Sequence, residues 1–401
     1  MTKLEKMIKE HCPNGVEFVP LGEVCSLITK GTTPSVFEKN GISFIKTEAF
    51  EGTRIDKNKL SFINEHTHNN ELKRSILQVN DILFAIAGTI GKCAIVTEDI
   101  LPANTNQALA IIRLTNRAYR NYIMHVLQSR YVKDYILKSV KSSAQPNLNL
   151  QQMNNFSIPL PPFPVQQELA RILDLFVELE IETISELEAR KKQYEYYRNE
   201  LLFFSYNLPR VELGKICTIS AGGTPQKGNN DYWENGTIKW LGSTVCKNQK
   251  FIDEVTNYIT LLGMKNSSAK LLKQGTTLIA MVGATIGKVA FLNFEATTNQ
   301  NVAAVYPLNK NVLNESYLFY ICQNLYPIFE NLSSGGKLAI ANLSFIRSLE
   351  VPLPPLEEQE RIVSILDRFE TLTNDLTNGL PAEIAARKKQ YEYYRDKLLM
   401  F

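Results

Sequence analysis

Paired cysteines are missing from this sequence: its six, Cys12, Cys25, Cys93, Cys217, Cys246 and Cys322, stand apart without a single CxxC. That spacing offers neither a zinc knuckle nor a disulfide framework, so reduced thiols in a cytoplasmic protein are expected. Long hydrophobic runs are missing as well. The weakly polar stretches Ile82 to Gly91 and Thr276 to Gly287 stop at Lys92 and Lys288, too soon to cross a bilayer as helices, so no membrane partner is expected. The opening MTKLEKMIKEHCPNG lacks the continuous apolar core of an export signal. Nor does one sign of charge prevail. Forty-four Lys plus Arg against 41 Asp plus Glu leave a formal charge of +3, so any affinity for nucleic acid must come from local patches or from partners. Nucleotide fingerprints are absent too, since GATIGKV at Gly283 has one residue too few between its glycines and a valine after its lysine.

What the sequence does contain, it contains twice. ARKKQYEYYR stands at Ala189 to Arg198 and again, letter for letter, at Ala386 to Arg395. A proline-rich hinge and a helical run precede each copy: IPLPPFPVQQELARILDLF from Ile158 and VPLPPLEEQERIVSILDRF from Val351. Farther upstream, LGEVCSLITKGTTP from Leu21 pairs with LGKICTISAGGTP from Leu213, and DILFAIAGTIGKCAIV from Asp81 with TTLIAMVGATIGKVAFL from Thr276. The TNQ at Thr105 to Gln107 pairs with that at Thr298 to Gln300. A period of about 195 residues means two tandem domains rather than a solenoid.

Within each half, short β-branched and aromatic runs alternate with Gly, Asn and Thr turns and with helical stretches such as Asn121 to Val140, which makes an α+β globule. A strongly helical segment follows each hinge. The expected division is a first globule over 1–160, a central helical spacer over 161–209, a second globule over 210–354 and a C-terminal spacer over 355–401. In the first spacer Ile172, Phe176 and Leu179, then Leu187, Tyr194, Tyr197 and Leu201, recur at coiled-coil intervals. In the second, Ile365, Phe369, Leu372 and Leu376, then Ile384, Tyr391, Tyr394 and Leu398, do the same. Burying each such side chain contributes about 1.5 to 3 kcal/mol, so the two seams are expected to face each other. Antiparallel pairing would then relate the globules by an approximate twofold axis. A continuous helix from Gln166 to Phe204 would reach roughly 58 Å, longer than a small domain is wide. The spacers differ by four residues: Asp174 to Ala189 is 15 steps, whereas Asp367 to Ala386 is 19. The surplus falls near Asn378-Gly379-Leu380-Pro381, where a kink and an added helical turn are both open readings.

With tandem globules, PLPP hinges and KKQYEYYR helices, the chain resembles the specificity subunits of type I restriction-modification systems over nearly its full length. The resemblance implies two target-recognition domains, each reading from the major groove one half of a bipartite site in double-stranded DNA. It also implies paired helices that dock two adenine-methyltransferase subunits, with restriction subunits joining them. S-adenosylmethionine, ATP and Mg would then sit on the partners, with no cofactor and no metal in this chain.

Two sets of residues are candidates for the DNA face. Lys92 with Lys288, and Asn106-Gln107 with Asn299-Gln300, recur in both halves and read either as shared scaffold or as phosphate or base contacts. Lys46-Thr47-Glu48 and Gly242-Ser243-Thr244 stand at matching places after an apparent strand yet differ, as loops reading different bases should. Catalytic chemistry is sparse. No Asn/Asp-Pro-Pro-aromatic motif is present; Asp56 with Glu71-Leu72-Lys73 matches a nuclease pattern by chance spacing, and His66 and His68 read as a polar loop. The competing readings are an assembly protein that binds no DNA and a stand-alone nuclease. Spacer length should act as a ruler: four added helical residues, about 6 Å, should widen the gap between half-sites by about two base pairs and leave both half-site sequences unchanged. Mapping methylated adenines before and after such an insertion checks this.

Overall fold

The computed structural model describes residues 3–140, 147–202, 208–250, 252, 254–333 and 340–401. Two compact units emerge, one formed by the chain up to Ile181 together with Ala386–Phe401, the other by Glu182–Ala385.

The first unit is built on a four-stranded antiparallel sheet in the order Cys25–Lys30, Leu109–Leu114, Ile82–Ala85, Cys93–Ile95. Its strand Ile82–Ala85 is apolar throughout because both faces are covered. Ile82 and Phe84 meet the helix α1 (Arg120–Gln128) side of the core, while Leu83 and Ala85 join a second cluster with Ile45, Val96 and Ile111. A smaller sheet, Ser61–Ile63, Ile42–Ile45, Ala103–Thr105, contains a parallel pair in which Ile45 faces Thr105. The expected helix Asn121 to Val140 is broken at Ser129, whose backbone is extended and whose hydroxyl donates to the Val126 carbonyl at 2.6 Å.

The second unit repeats the plan: Cys217–Ala221, Val302–Pro307, Thr277–Ala280 and Val289–Phe291 in the large sheet, Tyr258–Ile259, Ile238–Leu241 and Thr297–Thr298 in the small one. Leu241 again faces a threonine, Thr298, across a parallel pair.

Both proline-rich hinges are pinned rather than free. Ser157–Pro159 pairs with Phe18–Pro20, and Glu350–Pro352 with Arg210–Glu212. Tyr122 donates its hydroxyl to the Pro159 carbonyl at 2.8 Å, and Tyr317 to the Pro352 carbonyl at 3.1 Å. Just beyond each hinge a buried glutamine locks the long helix to its globule. Gln166 Oε1 accepts from Tyr119 N at 2.7 Å, and its Nε2 donates to the carbonyls of Pro161 (2.8 Å) and Arg117 (3.1 Å). Gln359 does the same with Asn314 N (2.9 Å), Pro354 (2.8 Å) and Val312 (2.9 Å).

Helix α2 spans Phe163–Leu202, beginning three residues earlier than the expected Gln166; the expected last two residues, 203 and 204, lie outside the described ones. The second spacer is two helices, with α3 (Glu315–Asn324) of the globule lying before them in the chain: α4 (Leu356–Asn374) and α5 (Leu380–Leu398). Between these last two the Asp375 carboxylate accepts from the Thr377 (2.7 Å) and Asn378 (3.3 Å) amides, and Gly379 N donates back to the Asp375 carbonyl. The four surplus residues therefore form a turn that interrupts the helix. Leu376 sits in that turn, 66% exposed, and is not a seam residue as its spacing suggested.

The two copies of ARKKQYEYYR complete opposite units. Tyr194 and Leu202 enter the core of the second, Tyr391 and Leu399 the core of the first. Replacing Gln166 with Leu should strand an amide and two carbonyls, costing about 3 kcal/mol, and Gln359→Leu should act likewise. Hydrogen exchange should then show lost protection at the start of α2 alone in the first variant and of α4 alone in the second.

Candidate nucleic-acid interface and docking helices

Because Ile45 and Thr105 are neighbours on parallel strands, Lys46-Thr47-Glu48 and Asn106-Gln107 leave the first unit side by side. Two further segments join them. Thr32 N donates to the Thr105 carbonyl at 3.1 Å, and Ile86 N, opening the hairpin that carries Lys92, donates to the Ala108 carbonyl at 2.8 Å. In the second unit Gly223 N reaches the Thr298 carbonyl at 2.8 Å, Asn299 N the Leu241 carbonyl at 3.0 Å, and Met281 N the Asn301 carbonyl at 2.9 Å. Gly242-Ser243-Thr244, Lys288 and Asn299-Gln300 thus gather at the corresponding edge. In each unit the residues singled out from the sequence come to one end of the sheets.

Their bonds divide them. Gln107 Oε1 accepts the hydroxyl of Thr33, and Gln300 Oε1 that of Thr224 at 2.6 Å, so the TNQ motifs brace the GTTP and GGTP motifs. Asn106 Oδ1 caps its own turn at Ala108 N (3.2 Å), as Asn299 does at Asn301 N (3.0 Å). The approach is so close that a Cβ on Gly31 would stand 1.9 Å from the Thr105 carbonyl, and one on Gly222 equally near that of Thr298. The shared asparagines and glutamines therefore spend their carbonyl oxygens on scaffold. Lys92 is exposed and Lys288 half-buried.

The turns that differ carry different surfaces. Lys46 lies 4.4 Å from the centre of the Phe37 ring and 4.0 Å from the exposed Glu48 carboxylate. Thr47–Ala49 forms a single 3-10 turn, and so does Ser243–Val245, but the latter offers hydroxyls and no charge. Ahead of it, Trp240 donates Nε1 to the Gly223 carbonyl at 2.9 Å and packs edge-to-face on Trp233.

Two features escaped the sequence reading. His68, read as part of a polar loop, is buried: it is 8% exposed, with Nδ1 2.5 Å from Asn104 Oδ1. Arg113 forms a two-pronged ion pair with the buried Asp81, at 2.8 and 2.7 Å. Asp56 is occupied by the Asn58 amide and Lys59, and among the described residues no three His, Cys, Asp or Glu side chains are grouped to hold a metal.

The seam is three-sided. In the first unit Phe176 stacks on Tyr394, 5.2 Å between ring centres, while Tyr391 hydroxyl meets His125 Nδ1 of α1 at 2.8 Å; Ile172 and Leu398 pack beside them. His125 Nε2 contacts the Asp174 carboxylate at 2.8 Å, and Asn121 donates to it at 2.7 Å. Burial raises that carboxyl, but these hydrogen bonds win and hold it below the usual range. In the second unit Phe369 stacks on Tyr197 at 5.7 Å, Tyr194 donates to Gln323 at 3.1 Å, and Leu201 packs on the core. The seam tyrosines Tyr194 and Tyr391 thus reach into globule helices and not only across to another spacer helix. Leu187, Ile365, Leu372 and Ile384 are half-buried, whereas Leu179 is exposed. Tyr196 and Tyr393, at matching places, are each 60% exposed.

Gly31→Ala and Gly222→Ala should each cost about 2–3 kcal/mol by forcing apart braced backbones. Glu48→Ala and Thr244→Ala, at exposed positions, should stay within about 0.5 kcal/mol of the parent. Urea unfolding of the four variants distinguishes brace from surface.

Comparison with known proteins agrees with this duplicated plan. The family model described as the type I restriction modification DNA specificity domain matches twice, over residues 13–190 and 209–386. A type I restriction enzyme specificity subunit of Escherichia coli is 37% identical over 289 residues, 68% of this chain and 70% of its own length. Among solved structures, a chain from a type I restriction-modification system determined to explain complex assembly and conformational transition has a TM-score of 0.62 at 20% identity, covering 96% of this chain and 98% of its own. The HsdS subunit of Thermoanaerobacter tengcongensis has a TM-score of 0.51 at 19% identity, covering 96% and 97%. Two family domains in tandem, each ending on a spacer helix, place this chain in the family of type I restriction-modification DNA specificity subunits.

Proposed function

We propose that each unit reads one half of a gapped, two-part DNA site and that the chain itself makes and breaks no covalent bonds. The observation carrying this reading is the pair of matched loop edges: one scaffold of braced TNQ and GTTP or GGTP motifs, two different surfaces at 46–48 and 242–244. A common brace holding divergent turns suits a common grip on the duplex backbone with separate readout of bases. Lys92 and Lys288 are assigned to phosphates, and the low net charge leaves much of the phosphate contact to partners.

The spacer helices dock two methyltransferase subunits, which flip adenine and supply S-adenosylmethionine. Restriction subunits, with ATP and Mg, join the same assembly. Among the described residues no helix is long and apolar enough to cross a membrane; the proposed cytoplasmic site of action rests on the reading of DNA beside the methyltransferase.

Exchanging 44–50 or 240–247 for the matching segment of a relative should change one half-site and leave the other intact. Mapping methylated adenines genome-wide, with and without this chain beside its methyltransferase, reads both half-sites at once. A gapped motif that vanishes with the chain is expected; an unchanged map would favour an assembly protein.

A further inference from the structure

The two units use one carboxylate in two ways. Asp174 and Asp367 occupy matching places in LDLF of α2 and LDRF of α4. In the first unit every side-chain partner of Asp174 named above comes from α1. In the second, the α1 histidine is replaced by Tyr320 of α3, which donates to Asp367 Oδ1 at 2.5 Å, and a lysine from outside the helices joins it. That lysine is Lys250. Its ammonium pairs with Asp367, donates to Ser316 Oγ at 3.0 Å, and lies 5.3 Å from the centres of both the Phe291 and Tyr320 rings. Its backbone amide donates to Glu370 Oε1 at 2.8 Å. The Lys250 side chain is 12% exposed, and a carboxylate, a hydroxyl and two ring faces stand around its ammonium where water otherwise would.

Lys250 ends the segment that begins as the candidate reading turn Ser243–Val245. Between them Asn248 accepts from Val289 N at 2.9 Å and, through its carbonyl, from Gln323 Nε2 at 2.6 Å. The turn's tail is therefore tied to the sheet, to α3 and to α4 within eight residues. Among the described residues the first unit is built differently at the corresponding place: after Thr47–Ala49 the chain makes the hairpin Phe50–Glu51 with Arg54–Ile55, held to the sheet through Ile95 N and the Thr53 carbonyl at 3.1 Å.

We propose that Lys250 is a positioning residue for base recognition by the second unit, a strap that lets α4 set the geometry of the reading turn at 242–245. The inference rests on the reading of these turns as DNA contacts and adds that the two half-sites are read with unequal coupling to the helices. It predicts that cutting the strap blurs one half-site only.

The test uses the full chain assembled with its methyltransferase subunits and competition binding to DNA bearing single base-pair changes in either half of the selected site. Lys250→Met should lower discrimination in the second half-site on the order of tenfold per position, the size of a typical mismatch effect, with the first half-site unchanged. Lys250→Arg should restore it, which a general loss of stability would not. Asp367→Asn, which retains the lysine, gives an independent cut should the methionine variant fail to fold. Discrimination within twofold of the parent at the second half-site, or an equal loss at both, overturns the strap. A parent complex that selects no two-part sequence overturns the underlying DNA-reading assignment, and the strap with it.

Discussion

Each long helix leaves its globule under the control of one buried glutamine amide. Gln166 and Gln359 each accept from one backbone amide of the loop before a globule helix and donate to two carbonyls, one in that loop and one in the hinge. A primary amide can meet that demand because it carries both an acceptor and two donors on one rigid plane. Buried at 1% and 0% exposure, it cannot exchange those partners for water, so the helix direction is fixed where it starts. Everything farther along the helices inherits that direction: where Asp174 and Asp367 meet α1 and α3, and where Phe176 and Phe369 meet the tyrosines that stack on them.

Within the ten-residue repeat, one tyrosine of each copy is held by hydrogen bonds as well as by the stacking of its neighbour. Tyr194 and Tyr391 each thread a hydroxyl between a spacer helix and a globule helix, onto Gln323 in one unit and onto His125 and Gln128 in the other. A side chain held on three sides tolerates little change in length or polarity. The partner positions have diverged around it, His125 standing where Tyr320 stands, so the two units keep one geometry while differing in polar chemistry. The same division holds at the loop edges, where bracing motifs are shared and exposed turns are not.

The resemblance drawn from the PLPP hinges and KKQYEYYR helices agrees with the family that the comparisons establish, and the α+β globules and long helix were legible from periodicity and from the duplication. Spacing alone misjudged Leu376, which recurs at a helical interval but lies past the helix end, where the Asp375 carboxylate gathers the turn amides. It also read His68 only as part of a polar loop, because a histidine's burial depends on a partner, Asn104, that lies in a distant strand. The braces between Gln107 and Thr33 and between Gln300 and Thr224 join motifs 74 and 76 residues apart. Both motifs were visible; their contact was not.

The sequence by itself determined the duplication and the order of globule, hinge and helical spacer in each half, since these follow from repetition, periodicity and turn chemistry within short windows. Tertiary structure alone decided which repeat completes which unit, which shared polar groups are consumed as scaffold, and that Lys250 meets Asp367. Those outcomes depend on hydrogen bonds and burial between residues far apart in the chain, whose pairing is chosen only when the sheets and helices close around them.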